Sequence, residues 1–188
     1  PKNASGPADP IIVHPDIRRM LLDGKSFVEG ARAFAMWTAL HGDLKDASPD
    51  DATKQKAGDY MALLTPVLKS YLTDKGYATA TDCQQVFGGH GYIAESGMEQ
   101  FVRDARITMI YEGANGIQAL DLVGRKLPKD GGRAVTAFFG EISGFLAANK
   151  EDAALAPYLP PLKTALGQLQ QATMWLMQNA MKNPDNAG

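Results

Sequence analysis

The chain must turn at Gln84-Gln85-Val86-Phe87-Gly88-Gly89-His90-Gly91-Tyr92, where three of four successive residues are glycine. Glycine in a helix interior costs about 1 kcal/mol relative to alanine. A helix that reaches this run is therefore expected to end there. Before the run, apolar residues repeat at the spacing of a helix: Tyr60, Leu63, Leu64, Val67, Leu68, Tyr71 and Leu72. The stretch thus predicts a long helix, a sharp turn, and a fold built from helices.

Upstream of this stretch, the pattern predicts further helices. Pro15 suits the first turn of a helix, and apolar residues at helical spacing predict one long helix from there to about residue 44. A second helix is expected from about residue 50 to 64. Thr65-Pro66 has the chemistry of an N-cap followed by a first-turn proline. This pair predicts a break, with a new helix over residues 66–87.

Downstream of the glycine run, two more helices are expected before residue 127. Ser96-Gly97-Met98-Glu99 has the sequence of a capping box, which predicts that a helix starts there. A further helix is expected from near Gly113 to about Lys126, with Ile117 and Leu120 facing inward.

The sequence Pro128-Lys129-Asp130-Gly131-Gly132 is typical of a linker, and two amphipathic helices are expected after it. The predicted domains are a helical bundle over residues 1–127, a linker over 128–132 and a helical extension over 133–188. The predicted fold class is all-α, an antiparallel up-down helical bundle with extra C-terminal helices.

Composition excludes several classes of function. The net charge of −2 argues against a nucleic-acid partner bound through a basic surface. No apolar run reaches the roughly 18 residues of a membrane span. Cys83 is the single cysteine, so an internal disulfide is excluded and a cytoplasmic location is expected. The histidines lack the spacing of metal ligands, so no metal site is predicted.

Glu112 is the best candidate for a catalytic group. It follows Ile110 and Tyr111, and a carboxylate with apolar neighbours loses solvation, which makes it a stronger base. Gly113 lets a ligand approach the backbone closely. The alternative is that Glu112 only stabilises a helix N-terminus through the helix dipole.

Two other motifs have competing interpretations. The glycine run does not match a dinucleotide-binding fingerprint, because a helix precedes it where that fingerprint needs a strand. It is either a plain helix end or a surface against which something bulky packs. Arg103, Asp104 and Arg106 favour an ion-pair cluster, within the bundle or between subunits, over a phosphate site.

Residues 83–127 closely resemble the C-terminal helical domain of acyl-CoA dehydrogenases. The glycine run, Arg103-Asp104-Ala105-Arg106-Ile107 and Ile110-Tyr111-Glu112-Gly113 carry the resemblance, in the order and spacing of that family. Residues 115–122 and 124–127 extend it. The long first helix and the helices after residue 127 are similar to those of the longer members, of which this chain would be a C-terminal fragment.

The resemblance implies desaturation of an acyl-CoA thioester between its α and β carbons. Glu112 would remove the α-proton, FAD would accept the hydride, and Gly113 would leave room for the thioester. The implied partners are acyl-CoA, an electron-transferring flavoprotein and further copies of the chain in a homodimer or homotetramer. The residues that would contact the FAD of a neighbouring subunit are Gln85, Val86, Phe87, Gly88 and Gly89. Those that would line FAD after the base are Ala114, Asn115 and Gly116.

One position departs from the family pattern. Many members carry threonine where this chain has Ala114, so a hydroxyl near the flavin is lost while backbone contacts remain. The alternatives are a non-catalytic helical oligomerisation module or a family relative with altered chemistry. An isolated fragment is expected to lack stable FAD binding and turnover.

Overall fold

The computed structural model describes residues 5–180 and 182–187, which form helices and turns without a strand. Residues 1–4 and 188, at the ends of the predicted domains, lie outside this part. The six α-helices are α1 (Pro15–Ala47), α2 (Asp51–Val86), α3 (Met98–Thr108), α4 (Asn115–Asp121), α5 (Arg133–Ala148) and α6 (Leu159–Asn179). The all-α prediction is confirmed. Among the described residues, no helix has both the length and the apolar character that a membrane crossing needs.

The described residues fall into two compact units. The first contains the residues up to Trp37 together with Leu68–Ala114, and the second contains Thr38–Val67 and the residues from Asn115 onward. The part of α1 up to Trp37 and the part of α2 from Leu68 belong to the first unit, and the remaining parts belong to the second. The domain boundaries expected from the sequence remain a prediction.

In the first unit, α1 and α2 run antiparallel. The rings of Phe27 and Tyr71 meet edge to face, with 6.2 Å between centroids. Closer to the end of α2, Thr79 lies opposite Gly24, where an added Cβ would come within 3.3 Å of the threonine methyl group. Two 3₁₀ turns, Gly88–Gly91 and Ala94–Ser96, and the helix α3 also belong to this unit.

In the second unit, α1 and α2 again run antiparallel, and Tyr60 of α2 lies at the centre, with 0% of its surface exposed. Its ring lies 5.0 Å from that of His41 and 6.3 Å from that of Phe138 on α5. Next to it, a small apolar core joins α2 to α5: Leu63, Leu127, Ala134 and Val135.

Polar contacts hold α5 to α2 around this core. Arg133 donates two hydrogen bonds to the buried Asp59 carboxylate, at 2.7 and 2.9 Å. The Tyr60 hydroxyl donates to Glu141 at 2.7 Å, and Lys56 pairs with the same carboxylate at 3.0 Å. The hydrogen bonds from Arg133 hold the pKa of Asp59 below its usual value. We call these five residues, Lys56, Asp59, Tyr60, Arg133 and Glu141, the α2–α5 clamp.

The predicted break at Thr65-Pro66 is wrong, because α2 continues through Pro66 as one helix. Proline removes one backbone donor and usually interrupts a helix. Here Thr65 instead donates its hydroxyl to the Met61 carbonyl, at 2.6 Å. Leu63, Leu64 and Pro66 are all buried, so packing on this face stabilises the helix across the proline.

Two smaller predictions also fail. The helix α3 does begin at Met98, but Gly97 is its N-cap in the left-handed region (φ 71°) and no side chain caps it. The capping box is therefore not formed. Ile117 and Leu120 of α4 are 57% and 47% exposed, so the expectation that they face inward is wrong.

The helix expected over residues 113–126 changes character along its length. The helix α4 ends at Asp121, and a π-helical turn follows over Leu122–Lys126, where the Leu127 amide donates to the Leu122 carbonyl at 2.9 Å. This wider turn leads Leu127 into the apolar core, where it is 6% exposed.

Candidate functional site

The glycine run forms a tight turn directly after α2. The helix ends at Val86, and Gly88–Gly91 form a single 3₁₀ turn, with Gly88 in the left-handed region at φ 61°. Glycine adopts this conformation at little cost. The predicted helix end is confirmed.

Gly91 and Gln84 hold this turn together. A Cβ at Gly91 would lie 2.6 Å from the Gln84 carbonyl oxygen and 2.7 Å from the Phe87 Cβ, so only glycine fits. The Gln84 side-chain amide donates to the Gly91 carbonyl at 3.1 Å. Neither residue was singled out from the sequence as a support of the turn, because that role depends on a contact across seven positions.

The residues to which the family resemblance assigns flavin contact lie on the open side of the same turn. Gln85, Phe87, Gly88 and Gly89 are exposed, and Val86 is half-buried. A Cβ at Gly89 would meet nothing within 4 Å. The adjacent glutamines thus differ: Gln84 faces the turn, and Gln85 faces outward.

The loop that carries Glu112 begins as the C-terminal turn of α3. The amides of Ile110 and Tyr111 both donate to the Ile107 carbonyl, at 3.0 and 3.1 Å. Glu112 and Gly113 then adopt positive φ values of 55° and 85°. Two successive residues in the left-handed region reverse the chain before α4 begins.

Glu112 lies at the surface of the described chain. It is exposed, as are Ile110 and Tyr111, at 51% and 52%. The described residues therefore do not supply the loss of solvation that the apolar neighbours led us to expect. The helix α4 starts at Asn115, three residues after Glu112, and has no acidic residue in its first turn.

The other predicted site residues follow Glu112 directly. Ala114 and Gly116 are exposed, Asn115 is half-buried as the first residue of α4, and a Cβ at Gly116 would meet nothing within 4 Å. Both predicted segments therefore present accessible backbone. The described residues contain no group of three histidine, cysteine or acidic side chains that could hold a metal ion.

From the sequence, we expect ion pairs among Arg103, Asp104 and Arg106 of α3. Within the described chain, Asp104 and Arg106 make other contacts. Asp104 accepts a hydrogen bond from Gln100 at 2.7 Å. The Arg106 guanidinium lies 5.9 Å from the centroid of the Tyr77 ring on α2, a distance typical of a cation–π contact. Arg106 therefore helps to pack α3 on α2.

Comparison with protein families gives two matches. Residues 4–127 match the family described as acyl-CoA dehydrogenase, C-terminal domain. Residues 138–188 match the family described as acetyl-CoA dehydrogenase C-terminal like. The first match covers the glycine turn, Glu112 and the residues after it.

Individual relatives agree with these matches. A 3-methylmercaptopropionyl-CoA dehydrogenase of Ruegeria pomeroyi is 45% identical over 131 residues, 70% of this chain and 22% of the relative. A butyryl-CoA dehydrogenase of Syntrophomonas wolfei is 34% identical over 148 residues, 79% of this chain and 24% of the relative. A broad-specificity linear acyl-CoA dehydrogenase of Mycobacterium tuberculosis is 34% identical over 167 residues, 88% of this chain and 27% of the relative.

The chain spans about a quarter of the length of these relatives. The family match covers well over half of the chain, from residue 4 to residue 127, and the fold is helical, as the sequence predicted. The chain belongs to the acyl-CoA dehydrogenase family.

Proposed function

We propose that this chain supplies the catalytic base and part of the flavin surface of an FAD-dependent acyl-CoA dehydrogenase. The reaction introduces a double bond between the α and β carbons of an acyl-CoA thioester. Family membership supports the reaction class. The chain would act as the C-terminal quarter of the enzyme, in keeping with its share of its relatives.

The observation that carries this proposal is the backbone conformation at Glu112. Residues other than glycine rarely adopt positive φ, and the left-handed conformation costs roughly 1–2 kcal/mol for an L-residue. Such strain concentrates at active sites and ligand clamps. Two described residues other than glycine adopt this conformation, Glu112 at φ 55° and Asp130 at φ 51°. Glu112 lies in the exposed loop that matches the family motif, whereas Asp130 lies beyond the matched residues.

The proposed chemistry of Glu112 is proton transfer. Its carboxylate takes the proton from the α carbon, and the electrons of that C–H bond become the new carbon–carbon double bond. The α carbon is acidic enough only when donors polarise the thioester oxygen. The Glu112 backbone N–H is the donor that this chain would supply. Gly113, without a side chain, leaves space for the thioester. FAD, when bound, accepts the β-hydrogen as hydride.

The residues around the two turns offer contacts that suit a flavin nucleotide. Gln85 and Asn115 carry amide donors, and Gly89 and Gly116 leave the backbone open to a ligand. In our proposal, Gln85, Val86, Phe87, Gly88 and Gly89 contact the flavin of a neighbouring subunit. Ala114, Asn115 and Gly116 line it after the base. At Ala114 only backbone contacts are available.

The proposed partners follow from this assignment. Acyl-CoA is the substrate, and an electron-transferring flavoprotein takes the electrons from the reduced enzyme. Contact with a neighbour's flavin requires at least a homodimer, and a homotetramer satisfies it as well. A cytoplasmic location remains a prediction from the single cysteine.

A second candidate is a non-catalytic oligomerisation module. It is favoured by exposed aromatic side chains of the first unit, because tyrosine and phenylalanine are enriched at protein interfaces. Phe87, Tyr92 and Phe101 are 53%, 80% and 66% exposed. This alternative accounts for the apolar surface but not for the strained carboxylate.

The deciding experiment uses the complete dehydrogenase that contains this chain, under anaerobic conditions. Acyl-CoA should bleach the visible absorbance of the bound flavin, and Glu112→Gln should slow bleaching at least a hundredfold, as expected for loss of a general base. Glu95→Gln is the matched control, because Glu95 is also exposed in the first unit. Bleaching of the Glu112→Gln enzyme at the parent rate would refute the assignment and favour the oligomerisation module.

A separate experiment tests the dependence on other domains. The purified 188-residue chain should show no flavin absorbance, because the two proposed flavin segments offer only part of a binding surface. A yellow chain with one flavin per polypeptide would contradict this.

A further inference from the structure

The helical extension contains a groove that the proposed dehydrogenase chemistry does not use. It lies between the second half of α5 and the first half of α6 and has a volume of about 860 Å³. This is within the range of small-molecule sites, roughly 300–1,000 Å³. Most of its wall is apolar, and the residues that matter here are Leu146, Lys150, Leu159, Lys163 and Leu166.

The groove has a cationic end. Lys150 lies just beyond the C-terminus of α5, and Lys163 lies in the second turn of α6. Both lysines line the groove near the short connection over residues 149–158, which joins the two helices. Lys150 also contacts Glu151, at 3.9 Å, but both side chains are highly exposed, at 73% and 91%. An exposed ion pair of this kind contributes little to stability, so Lys150 can bind another anion instead.

The other end of the groove is apolar. A second cavity of about 300 Å³ lies farther along the same two helices, and Gln170 lines both cavities. Val135, Phe139, Met174 and Met177 line the second cavity. Methionine side chains adapt readily to ligands of irregular shape.

The distance from the lysines of the groove to the methionines of the second cavity sets the size of the ligand that would span both. Lys163 and Met177 are fourteen positions apart on α6, about 21 Å along a helix. An extended chain of sixteen carbons is about 19 Å long, from its bond lengths and angles. A single chain with one charged head would therefore reach from the lysines to the methionines.

We propose that the groove between α5 and α6 binds one long-chain fatty carboxylate. Its head lies between Lys150 and Lys163, and its chain lies along Leu146 and Leu166 toward Met177. The site contains none of the residues assigned to the base or to the flavin, so it can be tested without turnover.

The test is calorimetric titration of the 188-residue chain with octanoate, decanoate and dodecanoate below their micelle concentrations. Affinity should rise about twofold to fourfold per added methylene, since burial of each contributes up to about 0.8 kcal/mol and the groove is open on one side. Dodecanol should bind about tenfold more weakly than dodecanoate. Equal binding of the alcohol, or no dependence on chain length, would overturn the proposal.

Removing the charges should remove the preference for an anion. Lys150→Met with Lys163→Met should weaken dodecanoate about tenfold and leave dodecanol unchanged. Lys45→Met is a matched control, because Lys45 likewise pairs with its exposed neighbour Asp46 at 3.9 Å. An unchanged preference for dodecanoate in the double variant would exclude the lysines as head-group ligands.

Filling the groove should abolish binding. A Cβ at Gly167 would meet nothing within 4 Å, so Gly167→Leu should fold and place its side chain in the groove. Gly144→Leu is the control, since Gly144 of α5 is equally open but does not line the groove. Helical circular dichroism confirms folding of both variants. Retained binding in Gly167→Leu would exclude this site, and binding only to phosphatidylglycerol vesicles would show a membrane surface instead.

Discussion

Replacing Arg133 by methionine should destabilise the second unit, because this residue is the main partner of a buried carboxylate. The Asp59 side chain is 9% exposed, and Arg133 approaches it as close as 2.7 Å. Methionine keeps much of the apolar stem of arginine and removes the charge and the donors. The substitution therefore tests the polar contacts of the α2–α5 clamp rather than its packing.

The expected cost follows from the geometry. Breaking a buried ion pair from one side costs about 3–5 kcal/mol. Arg133 itself is 46% exposed, and water reaches its side of the pair. Asp59 also keeps a hydrogen bond from Gln55, at 3.2 Å. We therefore expect a loss of about 2–3 kcal/mol, which corresponds to a melting temperature lower by about 4–12 °C for a chain of this size.

The assay is urea unfolding of the 188-residue chain, followed by circular dichroism. Arg19→Met is the matched control, because Arg19 also contacts two carboxylates, Asp16 and Asp23, but in an exposed ion pair. Exposed pairs are worth about 0–1 kcal/mol. Adding Asp59→Asn to Arg133→Met should cost less than the sum of the two single changes. If Arg133→Met loses no more stability than Arg19→Met, the clamp does not hold α5 to α2.

Three further predictions concern pH and packing. The pKa of Asp59 is lowered in the folded chain, so its contribution to the free energy of unfolding is full above the unfolded value of 3.8 and is lost as pH falls below that value. Acid titrations should show this loss of stability in the parent and not in Arg133→Met. Tyr60→Phe should cost about 1 kcal/mol in urea unfolding, because it removes the hydrogen bond to Glu141 and keeps the ring, and a cost near zero would refute the role of this bond. Gly91→Ala should cost about 1–3 kcal/mol by overpacking, whereas Gly89→Ala should be nearly neutral, and equal melting temperatures would contradict the difference in space around them.

Local chemistry explains what could be predicted from the sequence. Pro15 starts α1 and the glycine run ends α2, because both effects act within one turn of backbone. The break expected at Pro66 does not form, because residues distant in sequence decide the outcome there. Its cost is local, but the burial that offsets it comes from residues brought together by the fold.

The clamp and the support of the glycine turn were beyond sequence reasoning. Arg133 and Asp59 are 74 positions apart, and Tyr60 and Glu141 are 81 apart. Charged and aromatic residues at such distances have many possible partners, and helical periodicity does not select among them. At the candidate site, residue types and order indicated Glu112, whereas its positive φ emerged only from the structure.

That conformation bears on why residue 112 is a glutamate. A helix end that needs only a left-handed residue is best served by glycine or asparagine, and glycine is already present next to it, at Gly113. A glutamate there costs roughly 1–2 kcal/mol and gains no first-turn position on α4. Glu112→Gly relieves this backbone cost and removes the carboxylate, whereas Glu112→Gln keeps the backbone conformation and removes only the charge. Both variants should lose flavin bleaching in the complete enzyme. Bleaching at the parent rate in Glu112→Gly would show that the reaction does not need the carboxylate, whereas loss in both variants is the result expected for a catalytic base.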